Sequence, residues 1–244
     1  MQLQNKIIVI TGGATGIGRA LIDQLLPANT VISLDRRPEK IAALSKAHPQ
    51  VHSIRTDITS DAETKAALTA IANQFGRIDV LINNAGTGGQ FDFTDIPEAA
   101  LQGMLQREIT TNFLAPVLLT HGALALLQKS AAPVVVFVSS GLAYMPIASF
   151  AGYCASKAAM HAFAMSLRHQ LKKTRIKVVE VLPPTVDTDF NKGIEAPKMS
   201  PAAFAKACLQ QLERGKTSIN IGQSRALSVF SRLMPGLAFK MLNR

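Results

Sequence analysis

The chain has 244 residues, 48% hydrophobic and 5% aromatic with no tryptophan, which suits one α/β domain with a core of Val, Ile, Leu and Ala layers. This composition argues against disorder, and the longest apolar stretches, "FLAPVLL" and "AAPVVVFV", are too short to cross a bilayer. The net charge of +10 raises nucleic acid as a partner, but the basic residues are scattered and lack the interleaved aromatics of a base-stacking platform, so none is expected.

The N-terminal "MQLQNKIIVITGG" has neither the h-region of a signal peptide nor a spanning segment, and the expectation is a soluble cytoplasmic protein. Residues 6–11, "KIIVIT", read as a buried strand that ends in the turn "TGGATGIG" and enters the helical pattern "GIGRALIDQLL". Gly12, Gly16 and Gly18 permit backbone shapes closed to other residues and open the amides of a helix N-terminus to phosphate. Their G-x-x-x-G-x-G spacing is not the G-x-G-x-x-G fingerprint, so position must strengthen the reading.

It does so at the next strand, "TVISLD", whose tip carries Asp35 about twenty residues on, where it would accept the adenosine ribose hydroxyls. Asp35 argues for NAD because a 2′-phosphate would face its carboxylate; Arg36 and Arg37 argue the other way, and NADP stays open. A short helix near 38–46, the strand "VHSIRTD" and a capped helix from about 60 follow. Asp57 ends that strand, where it could accept from the adenine amino group. "IDVLINNAG" places small residues and amides at 83–86, where a flat ligand must pass close. Capping their own turns is the commoner use of such Asp and Asn residues.

A long helical region spans about 97–129, with Asn112 an awkward polar residue within it, placed to kink the helix and hold a water that links Lys157 to solvent. "PVVVFVSS" is the next strand, ending at Ser140, whose hydroxyl could fix a substrate oxygen. The helix 151–171 then sets Tyr153 one turn before Lys157. A phenol has a pKa of about 10, and an ammonium at about 5 Å in an effective dielectric of about 20 favours phenolate by roughly 3 kcal/mol, about two pKa units. Tyr153 would then pass a proton near neutral pH, suiting hydride transfer between an alcohol and a carbonyl. Alone, Y-x-x-x-K is weak, since such pairs commonly make surface contacts.

"IKVVEVLPP", a helix near 201–213 and "KTSINIG" complete seven candidate strands, most of them uniformly apolar, which implies a Rossmann-type, doubly wound parallel sheet with helices on both faces. The Pro-rich stretch at about 187–200 reads as a substrate loop. The tail, about 224–244, places Leu227, Phe230, Leu233, Met234, Leu237 and Met241 near helical spacing, with Pro235 interrupting. It reads as a helix packed on its own or a neighbouring subunit, with a membrane-surface anchor or a pocket wall as the alternative. Cys154 and Cys208 read as buried or free thiols, and the five histidines form no paired ligand motif, so no metal is expected. His161 and His169 read as helix-surface or packing residues.

Over nearly its whole length the chain resembles the short-chain dehydrogenase/reductase family, in "TGGATGIG", Asp57, "NNAG", Asn112, Ser140 and "YCASK", in that order. The resemblance implies a catalytic set of Asn112, Ser140, Tyr153 and Lys157. It further implies that a nicotinamide cofactor is held by Gly12, Thr15, Gly16, Ile17, Gly18, Asp35, Arg36, Asp57, Ile58, Asn84, Ala85, Gly86, Tyr153, Lys157, Pro183, Val186 and Thr188. "PPTVDT" is similar to the family's P-G-x-V-x-T segment, in which Val186 and Thr188 would hold the carboxamide. It departs at Pro184, where glycine is usual and where proline removes a donor. "EITTNFLAP" and "PPTVDT" together resemble a subset with some members named after D-alanine transfer operons.

Family members are commonly homodimers or homotetramers joined through the long helices, which implies the same here. The substrate, an alcohol or carbonyl compound, would be lined by residues 89–95 and 142–150 and covered by 187–200, a mix that suits an uncharged or partly apolar molecule. The rival from another class is a non-catalytic NAD(P)-responsive binding or regulatory protein.

Overall fold

A computed structural model describes residues 2–243. Seven parallel strands form one sheet: β1 (Ile7–Thr11), β2 (Thr30–Asp35), β3 (His52–Arg55), β4 (Val80–Asn83), β5 (Val134–Val138), β6 (Lys177–Leu182) and β7 (Ser218–Asn220), in the order β3-β2-β1-β4-β5-β6-β7. The order reverses between β1 and β4, so their C-terminal tips flank the crevice where open α/β sheets bind ligands. The expected doubly wound architecture is observed.

Alternation along the strands explains the two helical layers. Ile8, Ile10, Val80, Ile82, Val134 and Val136 point to one face, against α1 (Gly16–Leu25), α2 (Pro38–Ala47) and α8 (Pro201–Glu213). Val9, Ile32, Leu81, Val135 and Phe137 point to the other, against α3 (Asp61–Phe75), α5 (Ala115–Gly122), α6 (Leu124–Gln128) and α7 (Ala151–Gln170). Burying one such side chain stabilises the fold by roughly 1.5–3 kcal/mol. α4 (Glu98–Ile109) packs on α7, and the tail folds as α9 (Gln223–Leu233) and α10 (Pro235–Leu242).

Helix ends follow local chemistry. Ser60 caps α3 by accepting from the Glu63 amide, and Gly76 closes it in the left-handed region at φ 76°. Asp79 ties β1 to β4: it accepts from the Ile7 amide at 2.8 Å and pairs with Ser130 and Arg77.

The expected long helix over 97–129 is divided. Between α4 and α5 lies a π-helical segment, Thr110–Leu114, in which the Ala115 amide reaches back to the Thr110 carbonyl. Pro116 has no N–H to give the Asn112 carbonyl, which interrupts the regular ladder at this point. A second break at Ala123 separates α5 from α6. Cys154 and Cys208 are both free and buried. Among the described residues no helix is long and apolar enough to cross a membrane.

Candidate active site

The strand tips open into a cleft of about 1170 Å³. Most residues marked out in the sequence line it: Gly12, Thr15, Gly16, Ile17, Asp35, Arg36, Asp57, Ile58, Asn84, Ala85, Gly86, Ser140, Tyr153, Lys157, Pro183, Val186 and Thr188. Gly18 and Asn112 do not, and both act from behind its wall.

At the tip of β1 the turn is shaped by close approach. Gly12 adopts φ 66°, and a Cβ on Gly18 would collide with the Gly12 carbonyl and lie 2.7 Å from Asn84 Nδ2. Thr11 Oγ1 accepts from the Asn84 and Ala85 amides, each at 3.0 Å, while Asn84 Nδ2 donates to the Thr11 and Gly12 carbonyls. The tips of β1 and β4 are thereby stitched together, with the Asn84 donors spent on protein rather than left for a ligand. The first turn of α1 carries no acidic residue, and its N-terminal amides suit a phosphate.

At the tip of β2, Asp35 is only 5% exposed. Its carboxylate accepts from the Ala14 amide at 3.2 Å and the Arg37 amide at 3.3 Å. Arg37 reaches over it to donate to Thr15 Oγ1 at 2.9 Å. Asp57 caps its own turn through Thr59 and lies 3.6 Å from Arg36. Burial raises the Asp57 carboxyl, but the Thr59 hydrogen bonds and Arg36 outweigh it and leave it below the usual value.

Tyr153 and Lys157 share a face of α7, as four-residue spacing dictates. The Lys157 ammonium donates to the Val138 carbonyl at 2.9 Å and sits 5.7 Å from the Tyr153 ring centre. Asn112 pairs with the Thr87 backbone in both directions, at 2.8 and 2.7 Å, and donates to Ser156 Oγ at 2.9 Å. A Cβ placed on Gly86 would lie 3.3 Å from Asn112 Oδ1 and 3.6 Å from Lys157 Nζ, so the two converge there. Asn112 thereby holds the 86–88 turn beside Lys157.

The expectation of an acidified phenol is corrected. Burial pushes Tyr153 up to about 12, with a Ser140 hydrogen bond pulling against it, and burial brings Lys157 down to about 8, opposed by Glu180. Taking phenolate out of water dominates here, and Cys154 and Glu108 push the same way, effects that the four-residue spacing does not carry. His161 also has a closer engagement than a surface residue: its Nδ1 lies 2.8 Å from the buried Glu180, and its ring meets Tyr144 edge-on.

Further residues complete the site, Phe190 from the expected covering loop and others from the tail for which a pocket wall is the alternative reading. The Phe190 ring lies 5.3 Å from that of Tyr153, carried by a loop closed at its neck by the Val186–Met199 bridge. Glu108, fully buried on α4, accepts from the Gly89 amide at 2.7 Å and would block any Cβ on Gly152. Burial holds its carboxyl above the usual range; a lone acid inside "QREITTN" was the available signal. Of 89–95 only Gln90 faces the cleft, while Leu142, Ile147, Ser149 and Phe150 line it as expected. Leu227, Met241 and Leu242 add a wall from the tail, held by Asn243, which bonds to Ala148 and Pro146.

The family model described as short chain dehydrogenase matches residues 6–198. An uncharacterized oxidoreductase named DltE from Bacillus subtilis (strain 168) is 33% identical, covering 100% of this chain and 98% of its own. A short chain dehydrogenase from Burkholderia cenocepacia J2315, solved in complex with NADP, superposes with a TM-score of 0.88 at 24% identity, covering 99% of each chain. A short chain dehydrogenase/reductase from Burkholderia phymatum, solved with NAD, gives 0.85 at 19% identity, over 100% of this chain and 97% of that one.

Proposed function

The chain belongs to the short-chain dehydrogenase family, and from that premise we propose that it interconverts a carbonyl compound and an alcohol with a nicotinamide cofactor. One observation carries the reading: Ser140, Tyr153 and Lys157 meet in the same cleft as the glycine turn of β1 and α1. The chemistry of that donor set fits a dinucleotide, since acid-free helix amides face the cleft while Asp35 stands at the tip of the neighbouring strand.

Such a cofactor, when bound, supplies or accepts the hydride. The α1 amides and Thr15 would hold the pyrophosphate, and Pro183, Val186 and Thr188 the carboxamide. Asp35 would meet the adenosine ribose, which favours NAD. Arg36 and Arg37 lie where a 2′-phosphate would be neutralised, so titration with NADH and NADPH decides between them.

Ser140 fixes the substrate oxygen, and Tyr153 gives its proton to that oxygen in reduction or takes it in oxidation. Burial keeps the Tyr153 phenol protonated at neutral pH, the form that donates in carbonyl reduction. The Lys157 ammonium lowers the cost of the phenolate left behind. Around Tyr153 the cleft offers Phe150, Phe190, Ile147 and Leu142, suiting an uncharged, partly apolar carbonyl compound. The end of the π-helical segment and the outer faces of α5 and α7 expose Leu114, Leu118 and Met165, which supports a homo-oligomer through those helices.

The test is turnover of a carbonyl and alcohol panel by wild type and Tyr153→Phe, with cofactor affinity measured in parallel. The variant is expected to bind cofactor normally and lose on the order of 10³-fold in kcat. Cofactor binding by a wild type that turns over no member of the panel would establish the regulatory rival instead.

A further inference from the structure

We propose that the corner between α9 and α10 docks on an anionic lipid surface. The tail packs in part on its own subunit, as expected, with Leu227 and Leu242 in the cleft wall; yet Val229, Phe230, Leu233, Met234, Leu237, Phe239 and Met241 are exposed, Leu233 at 73%. Ser224 and Ala238 are the buried residues of the two helices and half-buried Leu227 and Leu242 turn to the cleft, while the remaining large apolar side chains face outward.

Charge selects the occupant. From Arg214 to the end the sequence has six basic residues and no acidic one. Arg225, Arg232 and Lys240 lie on the two helices, and no ion pair among the described residues involves them. A second copy meeting this face by two-fold symmetry would set cations against cations around the apolar patch. A bilayer with anionic headgroups satisfies both features, since it takes the apolar side chains at the acyl boundary and the cations at the phosphates. Met241 belongs to the exposed face and to the cleft wall, so the docked surface would lie beside the mouth of the cleft.

The test is flotation of the full chain with phosphatidylglycerol or phosphatidylcholine vesicles, comparing wild type, L233E/L237E and R232E/K240E. Wild type is expected to partition to phosphatidylglycerol on the order of a hundredfold more strongly than to phosphatidylcholine. Both variants should lose that binding while keeping the wild-type melting temperature. Should L233E/L237E be misfolded, R232E/K240E decides. No flotation of wild type overturns the proposal. So does flotation retained by the variants, which would reflect general attraction to a +10 protein. A wild-type oligomer that L233E/L237E breaks, with no lipid binding, overturns it in favour of a second copy.

Discussion

The tips of β1 to β4 are joined by hydrogen bonds: Thr11 Oγ1 accepts from the Asn84 and Ala85 amides, Asn84 donates to the Thr11 and Gly12 carbonyls, and the Thr56 amide donates to the Asp35 carbonyl, whereas the tips of β5 to β7 meet a loop and a tail built from Phe, Met, Leu and Pro. The first region has one permitted geometry, because each bond fixes a direction as well as a distance. The second also has fixed points, Ser224 on the Pro183 carbonyl and Asn243 on the Pro146 carbonyl, but its cleft-facing side chains are largely apolar, and apolar contact tolerates exchange of side chains and small shifts. An invariant ligand suits the first and a variable substrate the second.

The largest effect should come from breaking the ordered edge. Gly18→Ala places a methyl group against the Gly12 carbonyl and Asn84 Nδ2, both fixed within the β1–β4 stitch. The expected outcome is a cofactor affinity lower by about 100-fold and a stability loss of roughly 1–3 kcal/mol. Calorimetric titration with thermal unfolding checks it; unchanged affinity would mean that the turn yields, and the contrast in rigidity would fail.

The next effect sharpens the catalytic boundary between the two regions. Lys157 is 4% exposed and brought to about 8 by burial, so it is charged below that pH and neutral above it. Since the ammonium stabilises the phenolate left when Tyr153 donates, kcat for carbonyl reduction should be level at lower pH. It should fall by about tenfold per unit once the pH rises past about 8. A pH–rate profile level to pH 10 would rule out this role for the lysine charge.

What was legible in the sequence follows the same division. Strands such as "KIIVIT" and "VVVFVSS", the glycine turn and the Tyr153–Lys157 spacing are local patterns, and each appears where its periodicity placed it. The bonds between Arg37 and Thr15, between Asn112 and Thr87 and between Glu108 and Gly89 span 19 to 25 residues, so only the folded chain brings them together. The covering loop is legible as a Pro-rich stretch, but the Phe190 contact with Tyr153 depends on how that loop closes at the Val186–Met199 bridge, which no short motif records. The phenol differs from its expectation for a related reason: burial is a property of the assembled site, and the pair spacing carries only the attraction.

The smallest effect concerns Pro184, the departure from the family's glycine, which joins the two regions. Its ring carbons lie 3.3 and 3.4 Å from where a Cβ on Gly222 would sit, and Gly222 begins α9. The Pro183 carbonyl accepts from Ser224 Oγ at 2.7 Å, so the β6 tip grips the first turn of the tail. Pro184→Gly removes the ring contact and frees the backbone, which should cost about 1 kcal/mol. Because the tail supplies Leu227, Met241 and Leu242 to the cleft, KM for the carbonyl substrate should rise by about threefold. Cofactor affinity should stay constant, since the β1–β4 stitch is untouched. Thermal unfolding, substrate saturation and cofactor titration separate these effects. If cofactor affinity falls as far as KM rises, Pro184 belongs to the nicotinamide grip and the two regions act as one.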